Sequence, residues 1–574
     1  MLGYLPIKPC FWSNVWFAIL EWKEDNPLSV HQYSVHDLQV QTPKILFITA
    51  TDTEILGLAQ AWRRMGESNL AIQATHLRDL TDRGQLDRYV REVLPGSQVL
   101  LVRMLGGRAY FADGFEILHG ACKKLGISFI PLPGTRDLDP DLNRLSTESI
   151  SMLVAVQEYF VQGGVENYEN LIRFLFHQFV KTDFGFLPPK PTPERGLYEP
   201  PDLLPVPGDA PVVGVLFYRA HWLSGNLQPI NQLAQELHRQ GCRARSVFCE
   251  TLKETDEEGI PLPIREFLMN SEVLISTLAF SAPHGLDCPV IQAILCDSTR
   301  EEWEVSDAGL SPRDVAMHVA LPEFEGRIIS VPFAFKTNQE GENGMGTEIR
   351  RSVSLPDRAK KVAELARSWC SLQRTSNREK RVAILFNNYP TRNARVGNGV
   401  GLDTPESVIR LLRAMKDSGY QVDLIPENGD ALINKLLRGC TQDEEFQTRE
   451  NLEQVPHKLD LEKYKNRFSS VPGVRCREMS DQWGEPPGTY MVASNGMAVP
   501  GLLLGHVFIG IQPSRGFGKD SRAIYHSPDL PPTHFYQGYY QWILEDQVGQ
   551  SQGEPEENPE FHQRFTVFPH SAFL

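Results

Sequence analysis

The amino-acid sequence predicts an α/β fold with several doubly wound parallel-sheet domains in tandem. Short apolar runs, of the length of buried strands, alternate with segments whose apolar residues recur at helical spacing. Loops rich in glycine and polar residues follow several of these runs, as they do at the carboxyl edge of a parallel sheet. A proline-rich stretch divides the chain, because so many prolines exclude a continuous helix or a central strand.

These changes in pattern divide the chain into six segments. The predicted segments are an amino-terminal extension (1–43), a first α/β domain (44–186), a Pro-rich linker (187–211), a second α/β domain (212–375), a third α/β domain (376–545) and a polar carboxyl-terminal tail (546–574).

The first domain is predicted from three strand-like runs. They begin at Lys44 and lie at 99–102 and 127–130. Thr51 or Asp52 can cap the helix that follows the first run, and the helical pattern before the third run ends near Gly126. Strands that alternate with helices indicate parallel βαβ units with right-handed crossovers.

The second domain is predicted to begin with a strand at 212–217, directly after the linker. His221 and Asn226 lie just beyond the carboxyl end of that run, where ligands bind in doubly wound sheets. Further apolar runs at 273–277 and 290–295 are expected to be strands of the same sheet.

The third domain contains a strand, a glycine-rich loop and a helix in succession. Val382–Phe386 is a strand-like run, and Thr404 can cap a helix whose apolar residues recur at helical spacing up to Met415. The glycines at 397, 399 and 401 allow positive φ and close approach to a ligand, while the helix amino end can hold an anion. A loop that only turns the chain is an equal alternative. The run at 421–425 is expected to be another strand.

Towards the carboxyl end, a strand or hairpin at 501–511 leads into a polar segment. It delivers Gln512 and Arg515, and an arginine there can form a bidentate pair with a carboxylate. The proline-stiffened loop that follows contains His526 and His534, which can coordinate a metal or orient a ring. Two surface histidines in a rigid turn are the equal alternative.

Composition and charge exclude several classes of protein. With 574 residues, 41% hydrophobic and 22% charged, the chain has the composition of an ordinary globular protein with a large core. The formal net charge of -15 argues against nucleic-acid binding. The amino-terminal apolar patch is too short for a membrane span. Nine dispersed cysteines without Cys-x-x-Cys favour reduced thiols, and therefore a cytoplasmic protein.

Three long segments carry a resemblance to a known family. They read NNYPTRNARVGNGVGLDTPES from Asn387, IQPSRGFGKD from Ile511 and YHSPDLPPTHFYQGYYQWI from Tyr525, and LLVRMLGGRAY and FYRAHWLSGN precede them in the same order. The sequence resembles the CobN family, the large subunit of aerobic cobaltochelatase, which is related to the H subunit of magnesium chelatase. The resemblance extends over about residues 44–542.

The resemblance implies a platform for a tetrapyrrole. The large subunits of the family resemble a porphyrin-binding platform. The resemblance implies that the platform holds hydrogenobyrinic acid a,c-diamide while cobalt, which is a substrate, is inserted. ATP is used by partner subunits of the AAA+ type, which agrees with the lack of a phosphate-loop motif in this sequence. Metal ligation is expected at His526 and His534. Tetrapyrrole contacts are expected at Asn387, Asn388, Tyr389, Asn398, Gly399, Gly401, Asp403, Thr404, Gln512, Arg515, His221 and Asn226.

The sequence departs from the family pattern after Trp542. Family members continue there into His-Gly and Glu-Trp segments and a long second half, whereas this sequence continues into the polar tail. We therefore expect a split or truncated subunit that needs a separate carboxyl-terminal half, or one without catalysis. The alternatives are a non-catalytic tetrapyrrole-binding or truncated magnesium-chelatase-like module, and a glycosyltransferase-like α/β protein.

Overall fold

The computed structural model describes residues 43–66, 71–279, 286–306, 309–339, 345–388, 392–443, 445–471, 473–516 and 530–548. The strands are β1 Ile45–Thr49, β2 Ile72–His76, β3 Val99–Met104, β4 Ser128–Pro133, β5 Arg195–Tyr198, β6 Val212–Tyr218, β7 Arg243–Cys249, β8 Val273–Ser276, β9 Val290–Thr299, β10 Ile328–Gln339, β11 Ile349–Ser354, β12 Val382–Phe386, β13 Asn398–Gly399, β14 Leu402–Asp403, β15 Lys458–Leu459, β16 Val492–Ala493, β17 Gly496–Ala498, β18 Gly501–Leu504 and β19 Val507–Ile511.

Helices connect most of these strands. The α-helices are Asp52–Met65, Arg83–Glu92, Ala112–Leu125, Pro140–Asn143, Ile150–Gln162, Val165–Leu175, Arg219–Leu223, Gln228–Arg239, Leu262–Phe267, Arg300–Glu304, Pro312–Val315, Leu321–Phe324, Pro356–Arg374, Thr404–Asp417, Gly429–Arg438, Arg449–Gln454, Leu461–Ser469, Gly473–Trp483 and His534–Trp542. Shorter 3₁₀ or π turns lie at Leu77–Leu80, Arg108–Phe111, Phe176–Val180, Ala316–Ala320, Asn393–Arg395 and Ile543–Val548.

The first domain is built on a parallel four-stranded sheet in the order β2-β1-β3-β4. All of β1 is buried, because helices cover both faces of the sheet. Its continuous apolar run therefore predicted a strand correctly, although the run does not alternate. The mixed α/β class, with several sheets that contain parallel strands, is confirmed.

The second domain is built on a seven-stranded sheet in the order β11-β10-β9-β8-β6-β7-β5. Its five central strands are parallel, while β5 and β11 are antiparallel edges. The strand β5 comes from the proline-rich stretch, so this part of the predicted linker belongs to a sheet. It lies at the edge of the sheet, where prolines are tolerated because an edge strand has a neighbour on one side only.

The third domain has a small mixed sheet in the order β12-β19-β18. The strands β12 and β19 are parallel, and β18 and β19 form the predicted hairpin. Helices Thr404–Asp417 and Gly429–Arg438 pack on one face, and His534–Trp542 packs on the other.

The predicted strand at 421–425 is wrong, because the structure has irregular backbone there. The Gln421 carbonyl accepts a hydrogen bond from His506 N at 2.9 Å. Leu424, however, is 84% exposed, and Pro426 comes directly after the run. Val422 is 5% exposed and packs in the core with Leu504 and Val507, so the run is partly buried although it is not a strand.

Two features join the first and second domains. Met345 and Ile349 pack into the core of the first domain, and Ala74 N donates to Met345 O at 2.9 Å. Arg219 is buried at the end of β6, and its guanidinium donates to the carbonyls of Val161 and Pro193 at 3.0 and 2.8 Å. Among the helices described, none is long and apolar enough to cross a membrane.

Candidate functional site

The loops that leave β12 and β19 run side by side at one edge of the third sheet. Phe386 is paired with Ile511, and Gln512 N donates to Phe386 O at 2.9 Å. Because the two strands are parallel, both loops begin at the same carboxyl edge. The structure thus places the start of the predicted 387–388 segment beside Gln512.

The glycine loop closes onto this edge through its first glycine. Gly397 N donates to Asn387 O at 2.7 Å, and Gly397 is buried with φ +73°. Its ideal Cβ would lie 2.9 Å from Thr404 Oγ1 and 3.0 Å from Phe386 Cδ1. Both the conformation and the space therefore require glycine here.

Beyond Gly397 the loop is a short antiparallel hairpin. Asn398 pairs with Asp403 and Gly399 with Leu402, while Gly401 is exposed with φ +75°. The predicted contact residues of this loop are therefore adjacent to one another. Its tip is apolar as well as polar, because Val400 is fully exposed and Leu402 is 49% exposed.

The helix after the hairpin begins differently from the prediction. Asp403, not Thr404, is its N-cap, and the Asp403 carboxylate accepts a hydrogen bond from Glu406 N at 3.1 Å. Thr404 instead donates its hydroxyl proton to Gly397 O. A carboxylate of the chain already occupies the helix amino end, so the expected anion-binding role of that end is corrected to a capping role.

Gln442 is a structural residue of this edge that sequence reasoning missed. It is 1% exposed, its Nε2 donates to Gln512 O at 3.1 Å, and its Oε1 accepts from Ser514 N at 2.6 Å. One side chain therefore holds the backbone that leaves β19. The sequence around Gln442 is polar, so no apolar pattern marks this side chain as buried.

Asp443 holds the other loop in the same way. Its carboxylate is buried, accepts from Asn393 N at 2.8 Å and lies 3.4 Å from Arg392 Nη1. Arg392 also pairs with the exposed Glu445 at 2.6 Å. The turn at Asn393–Arg395 is thus fixed by a buried charge that the hydrophobic pattern could not reveal.

Arg515 is partly committed to the protein itself. Its Nη2 donates to Leu530 O at 2.8 Å, and its own carbonyl accepts from Thr533 N at 3.0 Å. It is only half-buried, so the rest of its guanidinium can face a ligand carboxylate. Tyr389 and His526, also predicted as site residues, lie outside the described residues.

The structure corrects the prediction that His534 is a metal ligand. This side chain is 2% exposed, its Nε2 lies 2.8 Å from Gly484 O, and its Nδ1 lies 2.8 Å from the Tyr464 hydroxyl. Since Nε2 must donate to the carbonyl, Nδ1 accepts from Tyr464 and has no lone pair left for a metal. Burial lowers the pKa of His534 and keeps the ring neutral. Within the described ranges, no group of three or more His, Cys, Asp or Glu residues is arranged to hold a metal ion.

His221 and Asn226 belong to another sheet. They follow β6 in the second domain, and Asn226 accepts a hydrogen bond from Ser352 N at 3.1 Å. Burial, with the nearby Lys336 ammonium, lowers the pKa of His221 to about 4. Asn226 thus connects β6 to the edge strand β11. The expectation that His221 and Asn226 contact a tetrapyrrole stays a prediction.

Together, the fold and this edge define a multidomain α/β protein whose third domain presents two loops at the carboxyl edge of its sheet. Residues 157–549 match the family model described as CobN/Magnesium Chelatase. The chain belongs to this family. Membership sets aside the glycosyltransferase-like alternative.

Three similar proteins illustrate the relationship. The chain is 34% identical over 523 residues to "Aerobic cobaltochelatase subunit CobN" of Pseudomonas aeruginosa, covering 88% of this chain and 41% of the relative. It is 24% identical to the H subunit of magnesium chelatase from Cereibacter sphaeroides, covering 92% and 46%. The solved "Catalytic Subunit of Cobaltochelatase from Mycobacterium tuberculosis" has a TM-score of 0.58 and 29% identity, over 88% of this chain and 41% of that one. The chain thus spans less than half the length of these relatives.

Proposed function

We propose that this chain is a tetrapyrrole-binding portion of an ATP-dependent cobaltochelatase, and that it holds hydrogenobyrinic acid a,c-diamide for cobalt insertion. The observation that supports this most is the loop cluster at the carboxyl edge of β12 and β19, which lies in the part of the chain that matches the family model. Its segments are also those whose sequence resembles the family.

The surface of this edge suits a flat macrocycle with polar arms. The faces of such a ring are apolar, and the hairpin tip offers the fully exposed Val400 beside Leu402. Its peripheral acid and amide groups need hydrogen-bond partners, and Asn398, Gln512 and Arg515 are at least partly exposed on the segments that follow β12 and β19.

The other components of the reaction are assigned to partners. Cobalt is a substrate that enters the bound ring, and AAA+ subunits hydrolyse ATP. A separate carboxyl-terminal polypeptide is a further proposed partner. What the platform contributes is a fixed ring orientation, which lowers the barrier to metal entry and to loss of the pyrrolic protons. The proposed assembly is cytoplasmic.

The test is a titration of the purified chain with hydrogenobyrinic acid a,c-diamide, followed by quenching of tryptophan fluorescence. We expect saturable quenching. Val400→Ser should weaken binding by about 1 kcal/mol, roughly fivefold in Kd, because a partly buried apolar contact is lost.

The matched control is Val305→Ser, which changes a valine that is 84% exposed in the second domain. It should leave Kd unchanged. Non-saturable quenching, or equal effects of the two substitutions, would count against the proposed site.

The alternative is a non-catalytic tetrapyrrole-binding module. It predicts the same macrocycle binding. When the AAA+ subunits and a carboxyl-terminal half are supplied with ATP, cobalt uptake would not depend on this chain. Loss of uptake on omitting the chain would exclude the alternative.

A further inference from the structure

A cavity of about 180 Å³ lies beside the edge strand β18 of the third domain. The end of helix Gly429–Arg438, helix Arg449–Gln454 and the first two residues of β18 contribute to its walls. None of the described residues predicted to contact a tetrapyrrole lines it. Pockets that enclose drug-sized ligands measure about 300–1,000 Å³. The cavity is therefore too small to enclose a tetrapyrrole and fits a small ligand, or the end of a longer one.

The polar part of the cavity lining is positive. Lys435 and Arg438 line it from the last turn of their helix, and Asn451 and Gln454 add two neutral amides. None of the described residues that line the cavity is acidic. This local charge is opposite in sign to the formal net charge of the chain, which is -15. A cavity with two cations and no carboxylate favours a negatively charged ligand.

The two cations are available to such a ligand. Cations in the last turn of a helix are common, because they offset the helix dipole, so their position alone indicates nothing. Here both side chains are exposed, and neither makes a hydrogen bond or an ion pair with another residue in the described part of the chain. The nearby Glu453 does not neutralise them, since its carboxylate accepts from the backbone N and the hydroxyl of Ser494 at 2.8 and 2.7 Å.

The rest of the lining is apolar and narrows the class of ligand. Leu436, Val455 and Leu502 belong to it. An inorganic anion gains nothing from an apolar wall and loses its hydration there. A carboxylate attached to a short aliphatic body uses both parts of the lining, because the body leaves water while the charge meets the cations.

We propose that this cavity binds a carboxylate carried by a short aliphatic body, with Arg438 and Lys435 as its charge partners. A free small acid and the carboxyl terminus of a polypeptide both have this chemistry. The site goes beyond the proposed function, because it is distinct from the predicted tetrapyrrole contacts.

The experiment compares two probes of the same shape, N-acetyl-leucine and its neutral carboxamide. The full chain is titrated with each by isothermal calorimetry. We expect saturable binding of the acid, and binding of the carboxamide that is about tenfold weaker or more, because the charge-assisted hydrogen bonds are lost.

Three substitutions on exposed positions locate the binding. Arg438→Gln should weaken binding of the acid about tenfold and leave the carboxamide unaffected. Lys435→Gln should weaken it about threefold, because an exposed ammonium is a hydrated point charge. The matched control is Lys416→Gln, which removes an exposed cation from the last turn of helix Thr404–Asp417, outside the cavity. This control should leave Kd unchanged.

Two further probes distinguish the sources of the carboxylate. 4-Methylpentanoate is a free acid without peptide groups, and N-acetyl-alanyl-alanyl-leucine is a polypeptide end. Similar affinities of the wild type for both would indicate a free acid. Tighter binding of the tripeptide would indicate a polypeptide terminus, and either result supports the carboxylate site.

Other outcomes overturn it. The site is excluded if the acid does not bind, if acid and carboxamide bind equally, or if Lys416→Gln weakens binding as much as Arg438→Gln. Saturating N-acetyl-leucine should leave the fluorescence titration with hydrogenobyrinic acid a,c-diamide unchanged, and competition would overturn a separate site. Failure of the macrocycle alone to bind counts against the proposed function and leaves the carboxylate site standing.

Discussion

The glycine loop makes a prediction that two substitutions of the same kind can test. Gly397 and Gly401 have φ of +73° and +75°, so replacement by alanine imposes the same left-handed strain, about 1–2 kcal/mol, at both. Only at Gly397 does the new Cβ meet neighbours, Thr404 Oγ1 at 2.9 Å and Phe386 Cδ1 at 3.0 Å, whereas nothing lies within 4 Å at Gly401. Overpacking of that kind adds about 1–3 kcal/mol.

We therefore expect Gly397→Ala to lower the free energy of unfolding by about 3 kcal/mol, and Gly401→Ala by about 1–2 kcal/mol. The measurement is urea denaturation followed by fluorescence and circular dichroism. The gain from a less flexible unfolded chain is the same for both variants and cancels in the difference. Equal losses in the two variants would refute the argument from contact.

A double substitution checks the cause. Thr404→Ala removes the oxygen that the new Cβ meets, and in the wild type it also removes the hydrogen bond from Thr404 to Gly397 O. We expect this change to be less destabilising in the Gly397→Ala background than in the wild type. Additive effects would show that the contact with Thr404 contributes nothing.

Two further predictions concern single side chains. Burial lowers the pKa of His221 to about 4. The neutral ring therefore contributes fully to the free energy of unfolding above about pH 6.5, and this contribution is lost as pH falls toward 4, because the unfolded chain binds the proton first. Up to about 3 kcal/mol is involved, and His221→Gln should flatten the dependence of urea stability on pH over that range; an unchanged slope would contradict the assignment. At the helix N-cap, Asp403→Ala should lower stability by about 1 kcal/mol and Asp403→Asn by much less, and equal losses in thermal melts would remove Asp403 as the cap.

The site was predictable where local pattern and chain order were sufficient. Val382–Phe386 and the 501–511 hairpin are where the apolar runs placed them, and these two strands bring Asn387 and Gln512 to one edge. Positive φ was predicted at Gly397 because glycine is the residue that adopts this conformation most readily, and its φ is +73°. For His534 the same approach was wrong, because a histidine in a proline-rich loop gives no sign of the tyrosine and carbonyl that hold its ring.

What the sequence by itself determined is the α/β class, several of the strands and the family, because these follow from apolar periodicity, glycine and proline, and long matching segments. Only the tertiary structure decided which polar residues meet. Gln442 and Asp443 are far along the chain from the loop at Asn388, and their buried hydrogen bonds depend on how the strands are ordered in the sheet. A polar side chain has no periodicity that reveals its partner, so its role becomes visible only when the fold has removed it from water.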